Sequence, residues 1–192
     1  MHESLIATIE YFIPLAETEK ELIKQLFKVK TFARGDYFLK EGQICQHVGF
    51  IQTGLVRYYI NKEGEDLIYG FGKEGNFVCN YESFLDRSIS SKNIQAIEDS
   101  CLLTISNQDL QQFYSDIKGG ERFGRLIAEQ IFVESVKQIS SLYTDPPEQR
   151  YRKFLDTYPD LQQRLPQYHI SSYVGVKPQS LSRIRKRTGK VG

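Results

Sequence analysis

Between Thr31 and Ile105 the chain is divided into short β-prone runs: Val48 to Ile51, Leu55 to Ile60, Leu67 to Phe71, Ile94 to Ile97 and Cys101 to Ile105. Glycine-containing turns separate several of them, and Asn61-Lys62-Glu63-Gly64-Glu65-Asp66, between two such runs, predicts a hairpin loop. Strands this short and this regularly spaced suggest a sandwich or barrel.

The flanks follow a different period. Leu5, Ile9, Phe12 and Ile13, then Leu22, Ile23, Leu26 and Phe27, lie at helical spacing on either side of Pro14, which predicts two short helices within residues 5 to 30. Ser106, with Asp109 three residues on, can cap a helix running through Tyr114. After Gly119-Gly120 a longer helix is predicted from Glu121 to about Tyr143, with Phe123, Ile127, Ile131, Phe132, Val136, Ile139 and Tyr143 at intervals of three and four. That stripe can lie on its own sheet or face a partner; a helix of this length between two domains favours the partner. Asp145-Pro146-Pro147-Glu148 ends one unit and opens another, with Asp145 as the expected N-cap.

A length of 192 residues suits one large domain or two small ones. Apolar residues at 40% and charged residues at 26% exclude a disordered chain. Residues 1–145 hold 15 Lys+Arg against 21 Asp+Glu, whereas residues 146–192 hold 10 against 3. An asymmetry of this kind points to nucleic-acid or membrane contact by the basic segment. The start of the chain lacks the pattern of a secretory signal and no stretch has the length of a membrane span, so a cytoplasmic protein with no membrane partner is expected. Cys45, Cys79 and Cys101 are too widely spaced for a zinc ribbon or a disulfide framework and read as free thiols. His2, His47 and His169 give no closely spaced metal pair, and no catalytic constellation stands out, so neither a metal, a cofactor nor an enzyme is expected.

The segment from Gln167 to Arg187 predicts helix, turn, helix. Ile170 and Val174 form a stripe, Gly175 can take positive φ at the turn, Val176 can fill the angle between helices, and Pro178 suits the start of the second helix. Leu181 and Ile184 would then face inward, with the stem of Arg185 beside them, leaving Gln179, Ser180, Ser182, Arg183 and Lys186 outside. From Lys177 to Gly192 there is no acidic residue. Such a face suits a major groove, with Gln pairing to adenine, Arg to guanine, and lysines and hydroxyls on phosphates.

Phe32-Ala33-Arg34-Gly35-Asp36-Tyr37-Phe38-Leu39-Lys40-Glu41-Gly42 resembles the opening of the cyclic-nucleotide-binding jelly roll of Crp/Fnr regulators. Phe50-Ile51-Gln52-Thr53-Gly54-Leu55-Val56-Arg57 and Gly75-Asn76-Phe77 continue the resemblance, which runs over nearly the whole chain. It implies an α+β protein: an N-terminal double-stranded β-helix (jelly roll), a long dimerisation helix and a C-terminal helix-turn-helix. The expected domains are 1–118 for the sensor, 119–145 for the dimerisation helix and 146–192 for DNA binding. Cyclic-AMP-binding members carry a Gly-Glu pair soon after the Phe and an Arg further on. Ungapped counting puts Cys79-Asn80 and Ser90-Ser91 at those places. Arg87 and Lys92 are the nearby cations that could substitute, so Cys79, Asn80, Arg87, Ser90, Ser91 and Lys92 are the candidate pocket, and cAMP is not the expected ligand. The family's two-stranded wing has only Thr188 to Gly192 to draw on here and is expected to be truncated.

Together these features predict a homodimeric transcriptional regulator that binds double-stranded DNA and has RNA polymerase as a further candidate partner; the identity of any small effector stays open. Its DNA-binding candidates are Lys177, Gln179, Ser180, Ser182, Arg183, Lys186, Arg187 and Lys190, and its dimer candidates Phe123, Ile127, Ile131, Val136, Ile139 and Tyr143. The rival is a ligand-sensing module acting through protein contacts alone, which the basic C-terminal segment disfavours.

Overall fold

In the computed structural model, which describes residues 2–188, the N-terminal flank forms α1 (Glu3–Phe12) and α2 (Glu17–Leu26). α1 buries Leu5, Ile6 and Ile9, and α2 buries Ile23 and Leu26, as spacings of three and four require. β1 (Lys28–Phe32) begins three residues before the expected change of period, because Lys28 to Phe32 pair with the last strand of the roll. There follow β2 (Tyr37–Leu39), β3 (His47–Thr53), β4 (Val56–Lys62), β5 (Glu65–Gly72), β6 (Phe77–Val78), α3 (Tyr81–Asp86), β7 (Asn93–Ala96) and β8 (Ser100–Ser106).

The strands form two four-stranded sheets, ordered β1-β8-β3-β6 and β2-β7-β4-β5. Leu103 of β8 stands opposite Val29 of β1 and Phe50 of β3. Leu102, Leu103 and Ile105 are all fully buried, so β8 is covered on both faces. The hairpin expected at residues 61–66 is tighter than its sequence suggests. Glu63 and Gly64 alone form the loop, both at positive φ (54° and 86°), the backbone of a type I′ turn that matches strand twist.

α4 (Asn107–Asp116) starts at the anticipated cap, where Ser106 Oγ accepts from the Asp109 amide at 3.1 Å. α5 (Gly120–Thr144) is the long helix, followed by α6 (Pro147–Thr157), α7 (Leu161–Arg164), α8 (Gln167–Val174) and α9 (Pro178–Thr188). The expected capping role of Asp145 is not realised. Pro146 occupies the N-cap of α6, while the Asp145 carboxylate takes Ser141 Oγ at 2.5 Å and Lys153 Nζ at 2.6 Å. Lys153, with Ser141, holds that carboxyl below its usual range.

Two compact units result, one from the residues up to Asn61 with Gly70–Glu129, the other from Lys62–Tyr69 with Gln130 onward. The first has a core drawn from α1, α2, both sheets and α4, centred on Phe50, Leu102, Leu103 and Phe113. In the second, Tyr151, Phe154, Leu161, Ile170, Val174 and Leu181 are buried, and Phe154 packs on Tyr151 and Tyr173. Each such side chain removed from water contributes roughly 1.5–3 kcal/mol. Among the described residues no helix is long and apolar enough to cross a membrane.

Candidate nucleic-acid interface

The sequence from Gln167 onward folds into two helices joined at Gly175. Its φ of 72° is the left-handed conformation that glycine adopts without penalty. The Gly175 amide donates to the Ser172 carbonyl at 3.0 Å and the Val176 amide to the Ser171 carbonyl at 2.9 Å, so the orphan carbonyls ending α8 are satisfied. Arg150 of α6 reinforces this end: Nε donates to the Val174 carbonyl and Nη1 to the Asp145 carbonyl, each at 2.8 Å. Lys177 then accepts from the amides of Ser180 and Leu181, with Pro178 as the first helical residue of α9.

α9 is sharply two-sided. Leu181 and Ile184 are buried against the unit, Ser182 and Arg185 are half-buried, and Lys177, Gln179, Ser180, Arg183, Lys186 and Arg187 are exposed. Arg187 Nη1 meets Glu148 Oε1 at 2.9 Å, a surface pair that another anion can compete for. Lys190 lies outside the described residues. Acid-free and basic, the outward face of this helix offers the donors that phosphates and base edges accept.

A further element of the unit escaped the sequence. Ser172 Oγ donates to the Asp66 carbonyl at 2.8 Å and accepts from the Ile68 amide at 2.9 Å, so the tip of the β4–β5 hairpin is clasped to α8. Gln138 of α5 adds a bond to the Tyr69 carbonyl. No sequence pattern announces a bond between residues about a hundred positions apart.

The apolar stripe on α5 divides. Phe123 is only 6% exposed and packs edge-on with Phe12, Phe77 and Phe113, while Ile127 is half-buried on the same core. Phe123 belongs to the first unit's own core, which corrects its placement as a dimer residue, whereas Ile127 packs against that core and stays partly exposed. Ile131, Val136, Ile139 and Tyr143 are exposed, together with Phe132, Val133 and Leu142.

In the first unit, Asn80 sits at the N-cap position of α3, and its Nδ2 donates to Ser90 Oγ at 2.8 Å. Ser90 Oγ also accepts from the Lys92 amide at 3.0 Å and donates to the Lys92 carbonyl at 2.8 Å. The hydroxyl's one donor and two acceptor sites are therefore all in use. Asn80 and Ser90 are buried, Cys79 is half-buried, and Ser91 and Arg87 are exposed, the latter in the left-handed conformation after α3. Lys92 Nζ is taken by Glu82 Oε2 at 2.6 Å. A cyclic phosphate lodged between Asn80 and Ser90 would have to break this network while Lys92 is held by Glu82, and a buried unpaired charge costs several kcal/mol.

Residues 29–116, from β1 to the end of α4, match the cyclic nucleotide-binding domain family. A sequence search of curated proteins returned no match. In fold the chain is similar to solved structures that include a transcriptional regulator of the Crp/Fnr family. It is similar to the catabolite activator protein of Thermus thermophilus at 18% identity and a TM-score of 0.59, with 96% of this chain and 88% of that one covered. It is also similar to CLP, a c-di-GMP-responsive global regulator of Xanthomonas campestris, at 15% identity, TM-score 0.65 and coverage of 92% and 93%. A transcriptional regulator of the Crp/Fnr family from Eubacterium rectale is 15% identical, with TM-score 0.68 and coverage of 93% and 85%.

Proposed function

We propose that this chain is a cytoplasmic, DNA-binding transcriptional regulator of the Crp/Fnr type, which pairs with a second copy through α5 and inserts α9 into the major groove of double-stranded DNA. The observation that carries the proposal is the two-sidedness of α9. Leu181 and Ile184 anchor one side, and the other presents Gln179, Ser180, Arg183 and Lys186 with no carboxylate in the helix. Arg183 and Gln179, one turn apart, are assigned to base edges. Lys177, Ser180, Ser182, Lys186, Arg187 and Lys190 are assigned to phosphates. Ile131, Val136, Ile139 and Tyr143 form the centre of the dimer contact, joined by Phe132, Val133 and Leu142, since one protomer leaves all of them exposed.

No catalytic role is proposed, and cAMP is not proposed as effector, because the cassette's polar groups are committed to one another. RNA polymerase is the further partner that a regulator of this type would meet. Selection of bound duplexes from random DNA by the purified protein, followed by genomic footprinting, tests the proposal. The expected outcome is a two-fold symmetric site with half-sites about one helical turn, ~34 Å, apart. Absence of any enriched sequence, with retention of a protein partner instead, would favour the protein-contact rival.

A further inference from the structure

Cys45 lies just ahead of β3 and Cys79 at the junction of β6 with α3, yet their Sγ atoms are 3.8 Å apart. The segments that carry them are fastened independently of the sulfurs. The Cys45 amide donates to Ser83 Oγ at 2.9 Å, and Ser83 Oγ donates to the Ser88 carbonyl at 2.6 Å. The Gly42 amide donates to the Ser90 carbonyl, the Ser90 amide donates to the Gln43 carbonyl, and Ile44 bridges Ile89. This frame fixes residues 42–45 against 83–90, and the pairing of Gly49 with Val78 places the end of β6 beside the start of β3, so the sulfurs are held together by the fold. The third thiol, Cys101, is separate: on β8, it donates to Gln52 Oε1 at 3.6 Å.

We propose that Cys45 and Cys79 form a redox-active dithiol, which a hydroperoxide converts into an intramolecular disulfide that ties the start of β3 to the β6–α3 junction. Forming the bond closes the 3.8 Å between the sulfurs to about 2 Å. The pair divides its roles. The contact between the sulfurs, with backbone contacts to Asn80 and His47, lowers the Cys45 thiol to about 7, whereas that contact and burial raise the Cys79 thiol. Of the two, Cys45 is the more readily ionised; it is buried, and Cys79 is half-buried.

The chemistry balances in two steps. The Cys45 thiolate attacks one oxygen of hydrogen peroxide; the O–O bond breaks, and the departing hydroxide takes up a proton to leave as water, giving Cys45 sulfenic acid. The Cys79 sulfur then attacks that sulfur, the S–O bond breaks, and the hydroxyl departs as water with the Cys79 proton. In sum, two thiols and one peroxide give one disulfide and two waters. A small dithiol such as dithiothreitol reverses the change.

The test uses the whole chain, reduced, freed of reductant and exposed to a small excess of hydrogen peroxide. Alkylation, intact mass and a non-reduced peptide map follow. The expected result is a mass lower by two hydrogens, one peptide joining Cys45 to Cys79, a Cys101 that is still alkylated, and full reversal by dithiothreitol. Cys101→Ser should keep the cross-link, and Cys45→Ser or Cys79→Ser should lose it. Because the map of the unmodified chain decides the matter alone, a misfolded variant does not obscure it. The proposal is overturned if all three thiols stay alkylatable, if Cys79 is oxidised singly to sulfinic acid while Cys45 is recovered reduced, or if the only disulfides join separate chains.

Discussion

Val136, on the exposed face of α5, gives the sharpest handle on the proposed dimer. It is 45% exposed in the single chain, and its neighbours Phe132 and Ile139 are 68% and 56% exposed. Full burial of an apolar side chain is worth ~1.5–3 kcal/mol, so covering the exposed half of Val136 contributes about 1 kcal/mol in each protomer. Val136→Asp removes that on both sides of a two-fold axis. It also places a carboxylate from each chain in an apolar contact, where unpaired charge costs several kcal/mol more. A total penalty near 4 kcal/mol corresponds to about a thousandfold in the dimer dissociation constant, since each ~1.4 kcal/mol is tenfold. Sedimentation equilibrium should find the unmodified chain dimeric at micromolar concentration and Val136→Asp monomeric, with circular dichroism unchanged. A monomeric unmodified chain, or a Val136→Asp variant that remains dimeric, would refute the assignment of this face.

Titration calorimetry with cAMP should show no binding at micromolar ligand, because Lys92 is held by Glu82 and the Ser90 hydroxyl is saturated; micromolar affinity would mean that the cassette rearranges to supply a cation. Ser172→Ala should break both bonds to the hairpin tip, at roughly 0.5–1.5 kcal/mol each, and speed hydrogen exchange at the Ile68 amide. Unchanged exchange there would show that the clasp does not persist in solution. Gly175→Ala should destabilise the α8–α9 turn by about 1–2 kcal/mol through its φ of 72° rather than through crowding, since the added Cβ meets only Arg150 Nη2 at 3.5 Å. Thermal unfolding measures that loss, and an unaltered midpoint would speak against the strained turn.

Local patterns carried much of the architecture. The short β-prone runs, the Ser106 cap, the Pro14 interruption and the Gly175 turn each follow from chemistry within a few residues, and each stands in the structure near its expected position. The outward and inward faces of α9 were legible for the same reason, because a helical period fixes them. What escaped was non-local. Spacing along α5 marks a stripe but not what covers it: Phe123 shares the stripe with residues that stay exposed, yet Phe77 and Phe113 pack against it. Asp145 has the chemistry of a cap, yet the competing offer of Lys153 and Ser141 draws its carboxylate away. The six residues of α3 are too few to display a period, and the meeting of Cys45 with Cys79 depends on how two distant segments fold back.

The central claim, that α9 reads DNA, is tested most directly by the affinities of Arg183→Ala and Lys186→Ala for cognate and scrambled duplexes, measured at one fixed salt concentration and then along a salt series. Arg183→Ala should cost roughly 1–3 kcal/mol on the cognate site and relax preference at one base pair, and Arg183→Lys should recover non-specific binding more than discrimination. Lys186→Ala should weaken binding to every sequence alike and lower the salt slope by about one. If Arg183→Ala left the affinities for cognate and scrambled DNA both unchanged, α9 would not be the recognition helix and a protein partner would become the better account of this basic unit.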